Sequence, residues 1–364
     1  KHTMLKSFNE DSPLVSYLQR TRQILNIERR IASRRPPPVP YAELEPLLKI
    51  NTALVVPFIY KSRLLGFMTV GSKLDEEFYG GTDIELLETL SDQVSVAIEN
   101  TRLYVEAIEK QRIESELMVA KEIQKRFLPK TFPRIPGIKT DAMNYPSKHI
   151  GGDYYDVIVL DRSKVCAVIA DVSGKGVPAA LLMASLQSAL RAEAHPLRPP
   201  SDVVSTLNRS IYEHTDGATF VTLFYGLIDL EQGSLTYCNA GHVPPLIVSK
   251  DMAVRLLDET DIVLGIDGEA TYRDTTVPLK EGDLLFLYTD GITDELNVHD
   301  QPFGEGRLIH ELKQVLHLEP RQILAHIYSA VMRYTAGKPQ DDLTAMVIRL
   351  ETLVPSRLSH PRNP

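Results

Sequence analysis

The sequence predicts an α+β protein with at least two domains and a long helix between them. At 364 residues the chain is long enough for two domains with sizeable cores. Short apolar runs bounded by turn residues predict strands in two parts of the chain. Between these parts lies a charged stretch whose apolar residues recur every three or four positions, which predicts a helix. We therefore expect a domain at residues 1–82, a helical linker at 83–128, a larger domain at 129–350 and a disordered tail at 351–364.

The first domain is marked by apolar runs at residues 51–60 and 64–71, whose spacing predicts a β-hairpin. Helical spacing follows from residue 78. Hairpin and helix together resemble the C-terminal half of a GAF sensor domain. Only about 50 residues precede the hairpin, which is short for such a domain. We expect residues 11–28 to supply a late helix and strand of this partial GAF-like domain, and the chain to begin inside it, with part of a ligand pocket missing.

The linker carries an apolar stripe that changes phase near residues 109–113. Its first part contains Leu87, Leu90, Val94, Ala97, Tyr104 and Ile108, and its second part contains Ile113, Leu117, Ala120 and Phe127. This pattern favours a coiled coil with a stutter, and hence a homodimer formed through the linker helix and the GAF-like domain. The alternative is an amphipathic helix docked along its own domains.

The larger domain carries five aspartates, each placed where an apolar run meets a turn: Asp153, Asp171, Asp290, Asp341 and Asp342. If the strand ends are neighbours in one sheet, the carboxylates would repel one another unless protonated or neutralised by a cation. Carboxylate oxygens suit Mg²⁺ or Mn²⁺, and no His/Cys set has the spacing of a zinc site. Any one of these residues alone could be an ordinary turn or cap aspartate, but the whole set indicates a metal site.

Residues 129–350 resemble the metal-dependent protein serine/threonine phosphatases (PPM family), of the bacterial stage II sporulation protein E and partner-switching type. The resemblance rests on motifs that occur in order: GGDYYD at 151–156, ADVSGKG at 170–176, NAGHVPP at 239–245, YTDGITDE at 288–295 and DDLT at 341–344. It implies a β-sandwich flanked by helices on both faces, with the metal cluster at one end of the sandwich.

The resemblance also implies a ligand set for two or more Mg²⁺ or Mn²⁺ ions. Asp153 and Asp171 would hold one ion, and Asp171, the carbonyl of Val172, Asp290 and Asp341 would hold the other. Asp342 stands where many relatives carry Asn, and we expect it beside the ligands. Two such ions activate a bridging water for in-line phosphoryl transfer, so no protein nucleophile is required.

Other residues leave alternatives open. His242, in a turn ending at Pro245, could donate a proton to the leaving oxygen or could bond the local backbone. Lys148 is the nearest candidate cation for the substrate phosphate, and a role for Asp294 is also open. Cys166 and Cys238 lie in or beside strand-like runs, where we expect buried thiols.

The predicted function is a cytoplasmic, sensor-regulated phosphatase acting on phosphoserine or phosphothreonine of a protein; the resemblance suggests an anti-sigma-factor antagonist as substrate. The alternative is a catalytically silent phosphatase-like signalling scaffold. A nucleotide cyclase is disfavoured because no triphosphate-binding signature is present. The net charge of −8 argues against binding to nucleic acid. The apolar runs are too short for a membrane span. Two cysteines, without a signal-like start, favour a reducing compartment.

Overall fold

The computed structural model describes residues 8–9, 11–75, 77–146, 151–174, 176–215, 219–337 and 339–353. The chain divides into two compact units, Lys1–Glu114 and Ser115–Pro364. Lys148 and residues 354–364 of the expected tail lie outside the described residues. Within the described ranges, each helix is too short or too polar to cross a lipid bilayer.

The first unit is built on an antiparallel sheet with strand order β1-β2-β3. Its elements before the long helix are α1 (Pro13–Thr21), β1 (Leu25–Asn26), α2 (Ile27–Ala32), α3 (Tyr41–Leu48), β2 (Thr52–Tyr60) and β3 (Arg63–Gly71). The expected helix and strand within residues 11–28 are thus present. The expected hairpin is also present, and its turn places Lys61 and Ser62 at φ of 50° and 94°, in the left-handed conformation that two-residue hairpin turns favour.

The helix α4 (Gly81–Gln124) follows the hairpin. Leu87 packs against buried Leu54 and Val56 of β2. Beyond it, the buried positions are polar: Ser91, whose hydroxyl donates to the carbonyl of Pro57, and then Ser95. The rest of the first apolar stripe, by contrast, is exposed to solvent. The packing of α4 on the first unit therefore explains why Leu87 is apolar, but it does not explain the other apolar residues of that stripe.

The second unit contains two antiparallel sheets and the helices that cover them. In chain order its elements are β4 (Ile138–Tyr145), β5 (Tyr154–Val159), β6 (Lys164–Val172), α5 (Val177–Glu193), α6 (Pro200–His214), β7 (Val221–Asp229), β8 (Ser234–Ala240), β9 (Leu246–Val248), β10 (Val254–Leu256), β11 (Thr275–Pro278), β12 (Leu284–Tyr288), α7 (Asp290–Thr293), α8 (Glu305–Val315), α9 (Pro320–Tyr334) and β13 (Leu343–Leu350). The first sheet has strand order β11-β8-β7-β6-β5, and the second sheet has β10-β9-β12-β13-β4.

The sheets form a sandwich with helices on both outer faces, which confirms the expected fold class. Ile169 of the first sheet and Leu287 of the second belong to one buried apolar core between the sheets. Met183 of α5 and Leu207 of α6 bury apolar surface against the outer face of the first sheet. Helices α8 and α9 cover the second sheet in the same way, with residues such as Ile327. The ends of the strands are thereby held in fixed positions.

Candidate metal centre

The strand ends of both sheets bring the predicted aspartates together. Asp153 directly precedes β5, and because Tyr154 pairs with Ala170, Asp153 lies beside Asp171 at the end of β6. In the second sheet, Asp290 follows β12 and starts α7, while Asp341 and Asp342 directly precede the neighbouring strand β13. The premise that the strand ends are neighbours in one sheet is therefore corrected. The aspartates come from two sheets that face each other.

Burial and mutual repulsion dominate the electrostatics of this cluster. Asp153 is buried, which raises the pKa of its carboxyl well above the ordinary value, and the negative charges of Asp171 and Asp342 raise it further. The pKa of Asp171 is raised to about 6, first by burial and then by the charges of Asp290, Asp341 and Asp342, while a hydrogen bond with Asp153 opposes the rise. A bound cation would relieve both effects.

Two glycines let the backbone approach these carboxylates closely. A Cβ on Gly152 would lie 2.6 Å from the carbonyl oxygen of Val172 and 3.1 Å from Oδ1 of Asp171. A Cβ on Gly151 would lie 2.1 Å from Oδ2 of Asp342. Any side chain at either position would push the loop away from the site. The Val172 carbonyl and the Asp171 carboxylate therefore border the same small space.

Buried hydroxyl groups fix Asp153 in place. The Thr289 hydroxyl donates to Oδ2 of Asp153 at 3.0 Å, and a hydrogen bond from Thr344 opposes the rise in the pKa of Asp153. The Asn144 amide in turn donates to the Thr344 hydroxyl at 2.8 Å. None of these residues was predicted from the sequence, although Thr289 and Thr344 stand inside the motifs at 288–295 and 341–344.

Glu295 holds the segment that carries Asp341. One of its carboxylate oxygens accepts the backbone N–H groups of Gln340 and Asp341, each at 2.7 Å. Its other oxygen is buried and has no hydrogen-bond partner among the described residues. The only sequence signal for this role was the position of Glu295 at the end of the 288–295 motif.

The last turn of α4 also contacts the site. The side chain of Gln124 is buried, and its amide donates to the carbonyl of Gly151 at 2.6 Å. Phe127, which the sequence analysis placed in the second phase of the linker stripe, packs against the core of the second unit instead. Docking on the chain's own domain therefore accounts for this end of the stripe.

The remaining candidates are a buried histidine, an exposed aspartate and two buried thiols. The ring of His242 is buried and hydrogen-bonds at both nitrogens, and burial lowers its pKa to about 4. Asp294 is exposed just after α7. Cys166 and Cys238 are buried free thiols, as expected, and burial raises the pKa of Cys238 to about 12.

The chemistry of the donors fits a hard divalent cation. They are carboxylate and carbonyl oxygens, and Mg²⁺ in proteins commonly keeps several water ligands. In the described part of the chain, no three His, Cys, Asp or Glu side chains are by themselves arranged to hold a metal ion. The Val172 carbonyl and water would therefore have to complete the coordination.

Comparison with known proteins identifies the families of the two domains. The family model for stage II sporulation protein E (SpoIIE) matches residues 161–351, which is more than half of the chain. The chain belongs to the SpoIIE family. A GAF domain model matches residues 7–99, which confirms the resemblance of the first domain.

Relatives confirm the enzyme class. The phosphoserine phosphatase RsbU of Bacillus subtilis is 28% identical over 287 residues, covering 78% of this chain and 85% of RsbU. The phosphoserine phosphatase RsbP of the same organism is 29% identical and covers 49% of this chain and 45% of RsbP. The chain is thus homologous to two phosphoserine phosphatases.

A solved structure supports the fold independently. The SiaA-PP2C domain of Pseudomonas aeruginosa superposes with a TM-score of 0.60 at 22% identity, covering 67% of this chain and all of that domain. At this level of identity the match establishes the PP2C-like fold only.

Proposed function

We propose that this SpoIIE-family chain removes phosphate from phosphoserine or phosphothreonine of a protein in a reaction that requires Mg²⁺ or Mn²⁺. The observation that carries the proposal is the convergence of buried Asp153 with Asp171, Asp290 and Asp341 at the facing ends of two sheets. Asp153 and Asp171 would hold one ion. Asp171, the Val172 carbonyl, Asp290 and Asp341 would hold a second. Binding would have to draw these three carboxylates together, because no three such side chains in the described residues are already arranged around one ion.

Each side chain has a definable part in this proposal. When bound, such ions would lower the pKa of a water and would stabilise the charge of the transferring phosphoryl group. Thr289 orients Asp153, and Glu295 orients the backbone of Asp341. Cys166 does not compete as a nucleophile, because it is fully buried and burial raises the pKa of its thiol.

The test is phosphate release from phosphorylated protein with Mn²⁺, with Mg²⁺ and with excess chelator. We expect release with either metal and none with chelator. A phosphorylated anti-sigma-factor antagonist should be a better substrate than an unrelated phosphopeptide of the same charge, because we propose that class of protein as the substrate. Equal release in the presence of chelator would contradict the metal-dependent mechanism. Absence of release under all three conditions would favour the silent scaffold.

We further propose that the sensor unit regulates the site through α4 and that two chains associate along this helix. Exposed apolar residues on α4 include Leu90, Val94 and Ile108, and an isolated apolar stripe of this length is best buried against a second copy. The bond from Gln124 to the Gly151 carbonyl ends two residues from Asp153, so a displacement of the helix end would displace the metal-binding loop. The buried free thiols fit a cytoplasmic location.

A further inference from the structure

His242 is a buried histidine at the site end of the sandwich whose two ring nitrogens are both engaged. It follows β8 and is only 4% exposed. Nδ1 lies 2.9 Å from the Thr222 hydroxyl, and Nε2 lies 3.0 Å from the carbonyl oxygen of Tyr288. Because a carbonyl can only accept, Nε2 carries the proton, and Nδ1 accepts from Thr222. The ring therefore has no free nitrogen to donate a proton to a substrate.

The two partners of His242 belong to different sheets. Thr222 lies on β7 of the first sheet, directly opposite Asp171. Tyr288 is the last residue of β12 in the second sheet, two residues before Asp290. The imidazole therefore joins the strand beside one set of carboxylates to the strand that leads into the other set.

The turn that carries His242 is itself fixed. The Asn239 side chain accepts the backbone N–H of His242 at 2.8 Å and donates to its carbonyl at 3.0 Å. Burial also lowers the pKa of the ring to about 4, so it stays neutral at physiological pH. A neutral, doubly bonded ring on a fixed turn is suited to holding two strands at a set distance.

We propose that His242 is a positioning residue that sets the separation between the Asp171 and Asp290 sides of the metal site, and thereby the affinity for the metal ions. The inference rests on the proposed function, since it assigns His242 to the same site. It replaces both roles that the sequence left open for this residue. A spacer between sheets cannot act as the proton donor, and the carbonyl that the ring bonds, that of Tyr288, is distant in sequence instead of local.

The experiment compares Mn²⁺ binding by calorimetry and phosphate release in the full chain and in three variants. His242→Leu removes both hydrogen bonds, and Thr222→Val removes one at nearly constant volume. We expect the Kd for Mn²⁺ to rise about 10- to 100-fold in His242→Leu and about tenfold in Thr222→Val, as for residues that orient metal ligands. Activity should return towards the wild-type kcat as Mn²⁺ is raised, with little change in KM for the phosphoprotein. His326→Leu is the matched control, because His326 bonds Glu311 between α8 and α9, and it should bind Mn²⁺ like the wild type.

The proposal would be overturned, in favour of a proton donor, by two results together. His242→Leu and Thr222→Val would both bind Mn²⁺ with wild-type affinity, and their loss of kcat would not be restored by added metal. If His242→Leu does not fold, as judged by its thermal transition, Thr222→Val decides the question. A wild-type chain without metal-dependent phosphate release would refute the proposed function instead, and the calorimetric comparison would still decide whether His242 sets metal affinity.

Discussion

Asp153 and Asp156 lie three residues apart in one motif, and both are almost completely buried, at 4% and 1% exposure. Asp156 has a cation within the fold, since the Arg191 guanidinium of α5 lies 2.6 Å from its carboxylate and the Tyr154 hydroxyl donates to the same oxygen. Asp153 faces the carboxylates of Asp171 and Asp342, and its pKa is raised.

The difference shows how to separate a structural from a functional buried charge. The ion pair between Asp156 and Arg191 links α5 to the first sheet, so the Asp156 carboxylate needs no cation from solution. The cluster around Asp153 concentrates negative charge that the fold keeps at a cost in stability, which is typical of a site that takes up a cation. Removing carboxylates from the metal cluster and removing the cation beside Asp156 should therefore have opposite effects on metal affinity and stability.

The largest effect is expected from replacing carboxylates of the metal cluster. Asp171→Asn and Asp290→Asn should keep the fold, lose metal affinity and lower kcat by at least about 1000-fold, or about 4 kcal/mol of barrier. The measurements are phosphate release at saturating Mn²⁺ and calorimetric Mn²⁺ titration. Asp251→Asn, an exposed turn position, is the matched control and should behave as the wild type. If both cluster variants keep activity within a few-fold of wild type, Asp171 and Asp290 are not metal ligands.

Breaking the structural ion pair should give the opposite pattern. Arg191→Ala leaves the buried Asp156 carboxylate without its cation and should lower the free energy of unfolding by about 2 to 4 kcal/mol, less than for a fully buried pair because half of the Arg191 side chain is in water. The Kd for Mn²⁺ should stay within about twofold of wild type. Chemical denaturation and calorimetry check the two expectations. A large loss of metal affinity without loss of stability would remove the distinction between the two aspartates.

In the metal-free protein, the contribution of Asp171 to stability should fall as pH rises, whereas buried His242, with its lowered pKa, contributes in the opposite direction. The pKa of Asp171 is raised from 3.8 to about 6 in the fold, so the folded state binds the proton more tightly than the unfolded state. Its stabilising contribution is therefore complete below about pH 4 and is lost as pH passes about 6, at a cost of about 1 to 3 kcal/mol. Denaturation of the chelated wild type and of chelated Asp171→Asn between pH 4 and pH 7 measures this contribution as the difference between the two proteins, because His242 titrates in both. Saturating Mn²⁺ should remove the loss in the wild type. The raised pKa of Asp171 would be contradicted if the stability of the chelated protein increased from pH 5 to pH 7 and Asp171→Asn showed the same slope.

The smallest expected effect concerns the exposed stripe of α4. Leu90→Glu places a charge in that stripe, and we expect it to convert a dimer to a monomer and to alter phosphatase activity a few-fold. Light scattering at micromolar concentration, with parallel phosphate-release assays, provides the measurement. Gln93→Glu adds the same charge at a neighbouring exposed polar position and should leave the dimer intact. A wild-type monomer whose activity is indifferent to Leu90→Glu would dispose of the dimer hypothesis.

Sequence predicted the local structure well where the pattern was local. The hairpin formed by residues 51–60 and 64–71, and the helix and strand within residues 11–28, were expected from apolar runs and are present. The division of the aspartates between two sheets did not follow from sequence, because strand order depends on contacts between residues far apart in the chain. The burial of Ser91 and Ser95 on α4 was missed because a small hydroxyl residue carries no apolar signal.

The supporting residues of the site escaped prediction for a related reason. Thr289 and Glu295 are unremarkable residue types in a turn, and their roles arise only when the fold brings Asp153 and Asp341 to them. The aspartates themselves could be named from sequence because carboxylates at several strand ends are chemically unusual together.

Anomalous diffraction from crystals grown with Mn²⁺ would locate the metal ions themselves. We expect at least two anomalous peaks at the facing sheet ends, with Asp171 bonded to both ions, Asp153 to one, and Asp290 and Asp341 to the other. Crystals of Asp171→Asn should lose both peaks while the Asp156–Arg191 pair remains in place. The proposed metal site would be contradicted if an active enzyme bound Mn²⁺ elsewhere on the chain while Asp153 and Asp171 stayed in direct contact with each other.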